Sequence, residues 1–385
     1  MNLKKSSFPK TFSYKLLVLL FFTLFCNSAF KIKVLISDIP LHLSESWNIT
    51  GINGLQLIYP KNKATKTINK PIKVTVTNHE IFLDNRKFEK DIVQIKSVNG
   101  PVFIEEKPFQ GSLYILKTDE SFMLLNKVDI DDYTCSVLHT ESWPGWSLEV
   151  NKTLAIACRS YATAKVLEAQ GKKTLFHVKN SNKHQTYGGA HHNKLIRQAT
   201  DETKRIVVGY NNRPILAMFD SCCGGVIPSK IEGKVDFAKA PYLARDYACN
   251  FCKDFKIFSW KTEIHKKILE NLLKKHLTHL KAIKKITTEK DSAGVVKSIT
   301  ISDQNRNFKI EGKLLYSIIK EVVSFAFTIR HSLDKIVIEG KGYGHHLGLC
   351  QWGVKRMVDL GWEHKEILKF YYPGTSLLRL QSSNK

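Results

Sequence analysis

The stretch that decides the fold class runs from residue 122 to residue 170 and reads FMLLNKVDIDDYTCSVLHTESWPGWSLEVNKTLAIACRSYATAKVLEAQ. Phe122 to Val128 is a strand-like apolar run. The acidic turn Asp129-Ile130-Asp131-Asp132 then places carboxylates where a helix N-terminus favours negative charge, so a helix is predicted to begin near Asp131 and to cover Tyr133, Val137 and Leu138. Pro144 and Gly145, between Trp143 and Trp146, break that period. Asn151, a good cap residue, opens a second predicted helix that runs to Gln170, before Gly171. Ala155, Ala157, Ala162 and Ala164 keep the second helix slim, so it should pack closely against a neighbour. A strand run feeding a helix pair, inside a chain otherwise rich in strand signals, gives an α+β fold.

Towards the N-terminus the texture is β-rich. Lys31 to Ile36, Lys73 to Val76, Ile92 to Val98 and Ser112 to Leu116 are short β-branched or aromatic runs between turn signals. They assign residues 30–118 to a β-rich region that packs or presents the rest. Residues 1–29 read differently. Lys4, Lys5, Lys10 and Lys15 precede an apolar run from Leu16 to Phe25, broken only by Thr23, and small Ser28 and Ala29 follow. That pattern predicts an export signal with a mature start near Phe30, or an uncleaved N-terminal anchor. Cys26 does not make a lipoprotein site, because bulky Phe25 precedes it.

Towards the C-terminus, strands and turns are expected from Gly188 to Cys223. Lys256 to Lys290 carries ten Lys and three Glu, with Ile264, Ile268, Leu272, Leu273, Leu277, Leu280 and Ile283 near helical spacing, and is predicted to be one amphipathic helix with a basic face. A hairpin, Val295 to Ile301 and Asn307 to Ile310, should follow it as part of the same insertion. A Gly-rich loop, Gly340 to Gly348, leads into helical residues that stop at Pro373-Gly374. Residues 119–380 are expected to form the second region of the chain.

The whole chain of 385 residues is 43% hydrophobic and 24% charged, enough to bury a core, which excludes a disordered or collagen-like chain. Its net charge of +24 suits an exported protein that meets an anionic wall polymer or lipid headgroups. Nucleic acid is not the expected partner, because only Phe258 and Trp260 accompany the basic run and no stacking platform is present.

Three places could carry chemistry. Glu141 ends the first predicted helix beside Trp143 and Trp146, and an acid against indole rings is how a carboxyl is raised for general acid work. Gly340 to Gly353 combines closely spaced glycines with His345, His346 and Gln351, but it has neither a Walker lysine nor a following βαβ unit. Of the eight cysteines, Cys249 and Cys252 have the spacing of a metal knuckle or redox pair. Cys222-Cys223 could supply a second half, with His177 or His184 completing a zinc set. A disulfide between the same loops fits export equally well. Cys158 lies on an apolar helix face and reads as a small buried hydrophobe. No Ser stands in a nucleophile elbow.

Taken together, these stretches resemble the stage II sporulation protein D family, also called SpoIID/LytB. The similar motifs are Leu125 to Tyr133 with Val137 to Glu141, then Ala157-Cys158-Arg159-Ser160-Tyr161-Ala162, Gln185-Thr186-Tyr187-Gly188-Gly189 and Asp201-Glu202-Thr203. Asp220 to Gly225, Gly342-Tyr343-Gly344-His345 through Gln351-Trp352-Gly353, and Tyr371-Tyr372-Pro373-Gly374-Thr375 complete the set. They follow one order across roughly residues 110 to 378, with weaker similarity back to residue 31. His346 and Leu347 stand where that family often has Gly and Val, and Cys350 where Ser is common. Some members bind zinc through a His/Cys set before Gln185; here that loop keeps His177 and His184 without a Cys.

The resemblance implies a peptidoglycan lytic transglycosylase, exported to the periplasm or cell wall, whose catalytic acid falls on Glu141. It places Tyr161, Gln185, Tyr187, Ser221, Tyr343, His345 and Gln351 around the glycan groove as substrate-binding side chains. Arg159 is expected either to hold its helix or to bind a carboxylate. Such enzymes close a 1,6-anhydro ring with the sugar's own hydroxyl, so a second protein carboxylate is unnecessary and no cofactor is required for catalysis. The rival implied by some relatives is a non-catalytic wall-binding module that assists an amidase. A zinc-dependent amidase is a third reading, drawn from the cysteine pair alone.

Overall fold

The computed structural model describes residues 30–59 and 64–381. The expected export signal or anchor, residues 1–29, lies outside the described residues. Among the described residues no helix is long and apolar enough to cross a membrane.

An eleven-stranded sheet occupies the N-terminal part. Strand Lys31–Pro40 alternates Ile32 and Val34 into the core, and it pairs antiparallel with Ser121–Asp129, so that Lys31 faces Asp129. Ser121–Asp129 buries Phe122, Leu124 and Val128 on one face. Leu125 joins Leu35 and Leu116 on the other. The strand runs directly into helix α1, Ile130–Glu141. Asp129 is the cap: its Oδ1 accepts from the Asp131 amide at 2.9 Å, and Asp131 and Asp132 complete an acidic first turn.

The second helix, α2, spans Leu148–Lys172, three residues earlier than the cap at Asn151 predicted. Asn151 is instead buried in the first turn of α2. Its Nδ2 donates to the carbonyls of Trp146 and Ser147, both at 2.9 Å, and its Oδ1 accepts from Ser142 Oγ at 3.1 Å. The side chain that looked like a cap is therefore the staple of the Trp-Pro-Gly turn. Helix α2 ends with Lys173 at φ 54°, a left-handed residue just past Gly171.

Helix α2 is held at its middle by a buried ion pair. Arg159 Nε donates to Asp131 Oδ1 at 2.6 Å, and its other nitrogens donate to the carbonyls of Ile206 (3.0 Å) and Thr200 (3.2 Å). The guanidinium is fully buried. It joins α1, α2, the short helix α3 (Lys194–Glu202) and the strand Ile206–Tyr210. Next to it, Ser160 Oγ accepts from the Val208 amide at 2.7 Å. Sheet and helices share one core that runs from Ile32 to Tyr372.

A second core belongs to the inserted segment. The long basic helix expected from Lys256 to Lys290 is not present. Strand Ser259–His265, helix α4 (Lys266–Lys274) and strand Lys285–Lys290 replace it. Two periods overlap in that sequence. Trp260, Thr262 and Ile264 alternate as a strand does and pair with Lys335–Lys341. Within α4 only Leu269 and Leu273, one helical turn apart, are buried in the second core, while Ile268 is left exposed; Leu280 and Ile283 enter that core from beyond the helix. β-branched Ile286, Thr287 and Thr288 then pair with Ile299 to Ile301. The expected hairpin forms as Val296–Ser302 and Asn307–Glu311, and α5 (Gly312–Ile318) closes this core.

The Gly-rich loop follows, and two helices, α6 (Gln351–Asp359) and α7 (His364–Tyr371), complete the main core. Gly344 has φ 127°, and a Cβ there would fall 2.4 Å from the Asp220 Cβ. The loop therefore presses its backbone onto the Asp220 turn, and His346 N donates to Asp220 Oδ2 at 2.7 Å. His346 itself sits at φ 69°, in the left-handed region that favours glycine.

Replacing Arg159 with Met should leave Asp131 unpaired in the core and cost about 3–5 kcal/mol in urea unfolding. Combining it with Asp131→Leu should recover much of that loss. A single variant as stable as the wild type would show that the pair does not hold the helices together.

Candidate active site

Glu141 is the last residue of α1, and three separate parts of the chain meet on it. The Thr186 amide donates to its Oε1 at 2.5 Å. Thr140 Oγ1 donates to the Thr186 carbonyl, also at 2.5 Å, so the same loop is pinned twice. Gln351 Nε2, from the start of α6, donates to the Glu141 carbonyl at 3.0 Å. The α1–α2 break completes the surround: the Ser142 amide donates to Leu138 O at 2.9 Å, and the Asn151 staple fixes Ser142 through Trp146.

Burial lifts the Glu141 carboxyl to about 7, and the Thr186 hydrogen bonds, which favour the charged form, only partly oppose it. The indole rings expected to press on it form a cluster of their own. Trp143 and Trp146 both meet Trp352 edge-on, with centroids 5.5 Å and 5.6 Å away. Trp143 remains 41% exposed, so the cluster presents an aromatic surface next to the acid in sequence. Tyr161 lies mostly buried; burial and the Glu141 charge together raise its phenol to about 12, so it stays a hydroxyl donor.

Two residues expected to bind substrate are in the core instead. Gln185 is buried, accepts from Tyr133 Oη at 3.1 Å and donates to Cys158 O at 3.4 Å. Tyr187 is buried, stacks on Tyr133 at 5.4 Å and donates to Asn126 Oδ1 at 2.6 Å. Buried Tyr, Gln and Asn side chains satisfying one another leave no face for a ligand, so this pair supports the Thr186 loop from beneath. Arg159 likewise has its donors taken by Asp131 and two carbonyls, which excludes the carboxylate-binding alternative. Gln351 is buried but has its Oε1 unpartnered.

Ser221, Tyr343 and His345 lie on the wall formed by the Asp220 turn and the Gly-rich loop. The Ser221 carbonyl accepts from the Trp352 amide at 3.1 Å. Tyr343 exchanges backbone hydrogen bonds with Cys222, and the residue is 44% exposed. His345 is half-buried, and burial with nearby Lys234 pushes its imidazole down to about 4, so it is neutral; its Nδ1 accepts from the Leu347 amide at 3.1 Å. A cleft of about 820 Å³ opens between Gly224-Gly225 and the inserted segment, lined by Trp260, Phe327 and Lys341; Glu141 does not line it.

His177 and His184 are not partners of the cysteines. Each spends Nδ1 on a backbone amide, Lys33 N at 3.1 Å and Lys179 N at 2.8 Å. Cys249 and Cys252 do converge with Cys223, and the fourth member is Cys350. Cys158 is buried in the helix core, as its apolar face implied. Sequence reasoning did not single out Thr186, Asn151 or Trp352 as site residues. Thr186 carried a signal, being flanked by the Gln185 and Tyr187 motif positions, whereas Asn151 looked like a cap.

Known proteins and family models match parts of this chain. The stage II sporulation protein family model matches residues 118–210. A domain of unknown function (DUF8618) matches residues 242–348, a span that contains the second core. An uncharacterized protein of Brachyspira hyodysenteriae is 32% identical over 287 residues, covering 72% of this chain and 74% of that protein. The stage II sporulation protein D of Bacillus subtilis is 24% identical over 66% of this chain and 75% of its own length. The amidase enhancer of Bacillus subtilis is 26% identical over 63% of this chain, but the match spans only 39% of that longer protein.

The raised Glu141 carboxyl has a stability signature. Its folded value lies above the unfolded one, so the native state loses stability as pH rises from the ordinary carboxylate range through about 7. Glu141→Gln removes that penalty. Its melting temperature should exceed the wild type's at pH 8, with the gap closing towards pH 4.5. A gap that does not change with pH would mean that the carboxyl is not raised by burial.

Proposed function

The chain belongs to the stage II sporulation protein D family, and on that premise we propose that it is a lytic transglycosylase that cuts the glycan strand of peptidoglycan. The observation that carries this reading is a single carboxyl, Glu141, raised to about 7 at the end of a helix and held by the Thr186 amide. A general acid works best with a pKa near the operating pH, where it is substantially protonated and still a competent base afterwards.

In the proposed reaction Glu141 first gives its proton to the glycosidic oxygen, which leaves with the electrons of the broken C–O bond. The carboxylate so formed takes the proton of the sugar's own 6-hydroxyl, whose oxygen closes the anhydro ring on the anomeric carbon. Glu141 ends protonated as it began, and no water is consumed. The amide of Thr186 stabilises the charged form between the two steps. Tyr161 and the exposed Trp143 are proposed to contact the sugars, together with Tyr343, Ser221 and His345 from the wall of the Asp220 turn and the Gly-rich loop. Gln185, Tyr187 and Arg159 act as positioning residues.

Export to the periplasm or wall is part of the same proposal, as is attraction of exposed Lys267, Lys274 and Lys275 to anionic wall polymers, an effect that weakens with salt. A second reading has a specific observation behind it: one relative is named an amidase enhancer. On that reading the aromatic wall would bind glycan for an amidase partner and Glu141 would break no bond.

Mass analysis of glycan digested by the purified protein separates the two. The transglycosylase should release product lighter by one water than a hydrolysis product and without a reducible end. Glu141→Gln should still bind glycan while turnover falls by about 10²–10⁴-fold. Because the acid must start protonated, kcat/KM should fall with rising pH above about 7. No product from the wild type, with glycan binding intact, would favour the amidase-assisting role.

A further inference from the structure

Four cysteines from three distant segments meet in the main core. Cys223 lies in the turn after strand Phe219–Asp220, Cys249 and Cys252 form the knuckle, and Cys350 caps the N-terminus of α6. Their sulfurs all lie within 4.8 Å of one another. Cys223 and Cys252 are 3.7 Å apart. Sulfurs at the corners of a tetrahedron around zinc are about 3.8 Å apart, given a zinc–sulfur bond of about 2.3 Å. A disulfide would need about 2.05 Å. We propose that Cys223, Cys249, Cys252 and Cys350 form a closed structural zinc site.

The surroundings suit thiolates. Cys350 Sγ accepts from the amides of Cys223 and Gly353, both at 3.3 Å, and the Tyr371 hydroxyl meets Cys249 Sγ at 3.1 Å. Such outer contacts fix ligand sulfurs and stabilise their charge. Gly353 is needed for this approach, because a Cβ there would fall 2.0 Å from the Tyr371 hydroxyl and 3.0 Å from Cys249 Sγ. A zinc tetrathiolate carries net negative charge. Arg245, a buried guanidinium with Nε and Nη2 unpartnered, lies 5.8 Å over the ring of the same Tyr371. All four cysteines are buried, so the site leaves no open coordination position and is structural rather than catalytic.

The ion would clamp the segments that shape the Glu141 wall. Residues next to Cys350 make two of its contacts: Gln351 holds the Glu141 carbonyl, and the Trp352 amide donates to the Ser221 carbonyl. This site does not depend on the proposed glycan cleavage, since a wall-binding module would need the same wall.

Elemental analysis of full-length protein purified without chelators tests the proposal. One zinc per chain is expected. Cobalt substitution should give the visible spectrum of a tetrahedral thiolate complex. Cys252→Ser should lower zinc content at least tenfold, while Cys135→Ser, a buried cysteine outside the set, should retain it. If Cys252→Ser fails to fold, the wild type carries the test alone: a chelator should lower its melting temperature, and zinc but not magnesium should restore it. Metal-free protein with an unchanged melting temperature overturns the site. So does an intact mass lighter by two hydrogens for each of two disulfides among these four residues.

Discussion

The arrangement around Glu141 depends on the ion pair between Arg159 and Asp131. Burying a guanidinium is costly unless its donors and its charge are both answered. Here the carboxylate answers the charge, and the Ile206 and Thr200 carbonyls take remaining donors. A hydrophobic contact would tolerate sliding of α1 along α2. Directional hydrogen bonds from one planar group do not: two hold the guanidinium on Ile206 and Thr200, and the third fixes Asp131, and with it the register of α1, against α2. Ten residues along α1 from Asp131, that register decides where Glu141 points. The strand that delivers α1 is set by its own pairing, with Lys31 opposite Asp129. Sheet, cap and ion pair thus act in series on one carboxyl.

Beneath the acid lies a polar layer with few loose ends. Tyr133 with Gln185, and Tyr187 with Asn126, form two hydrogen-bonded pairs joined by the stacked Tyr133 and Tyr187 rings. Such buried networks rigidify a site when each member is satisfied. The layer sets the height of the loop from Gln185 to Gly188, whose Thr186 amide reaches Glu141. Motif residues that resemble ligands in sequence therefore act one layer below the surface.

Local signals were legible where local physics decides the structure. The acidic cap, the end of α1 at Glu141 and the hairpin near residues 296–311 all follow from short-range patterns. The segment from Lys256 to Lys290 was misleading because its apolar residues fit a helical and an alternating period at once. Strand partners as far away as Ile336 and Ile338 resolved the ambiguity, and periodicity contains no record of them. Asn151 failed for a related reason, since a residue that can cap a helix can also staple the loop before it. The histidines at 177 and 184 looked available for zinc, yet backbone amides had claimed them. The cysteine pair at 249 and 252 announced itself by spacing. Its partner Cys350 could not, lying 127 residues from Cys223 in a position that a serine hydroxyl would also fill.

Helix α6 shows how the distant C-terminal motif bears on the acid. Cys350 accepts the Gly353 amide as a cap, which orients the first turn. Gln351, next in the chain, then reaches the Glu141 carbonyl, and Trp352 packs on Trp143 and Trp146. Three consecutive side chains thus serve the core, the acid and the aromatic wall in turn. Burial of the Glu141 carboxyl is what raises it. The proton affinity of Glu141 is therefore set by its surroundings, since the residue supplies only the carboxyl, and the first residue of α6, far along the chain, holds its backbone carbonyl.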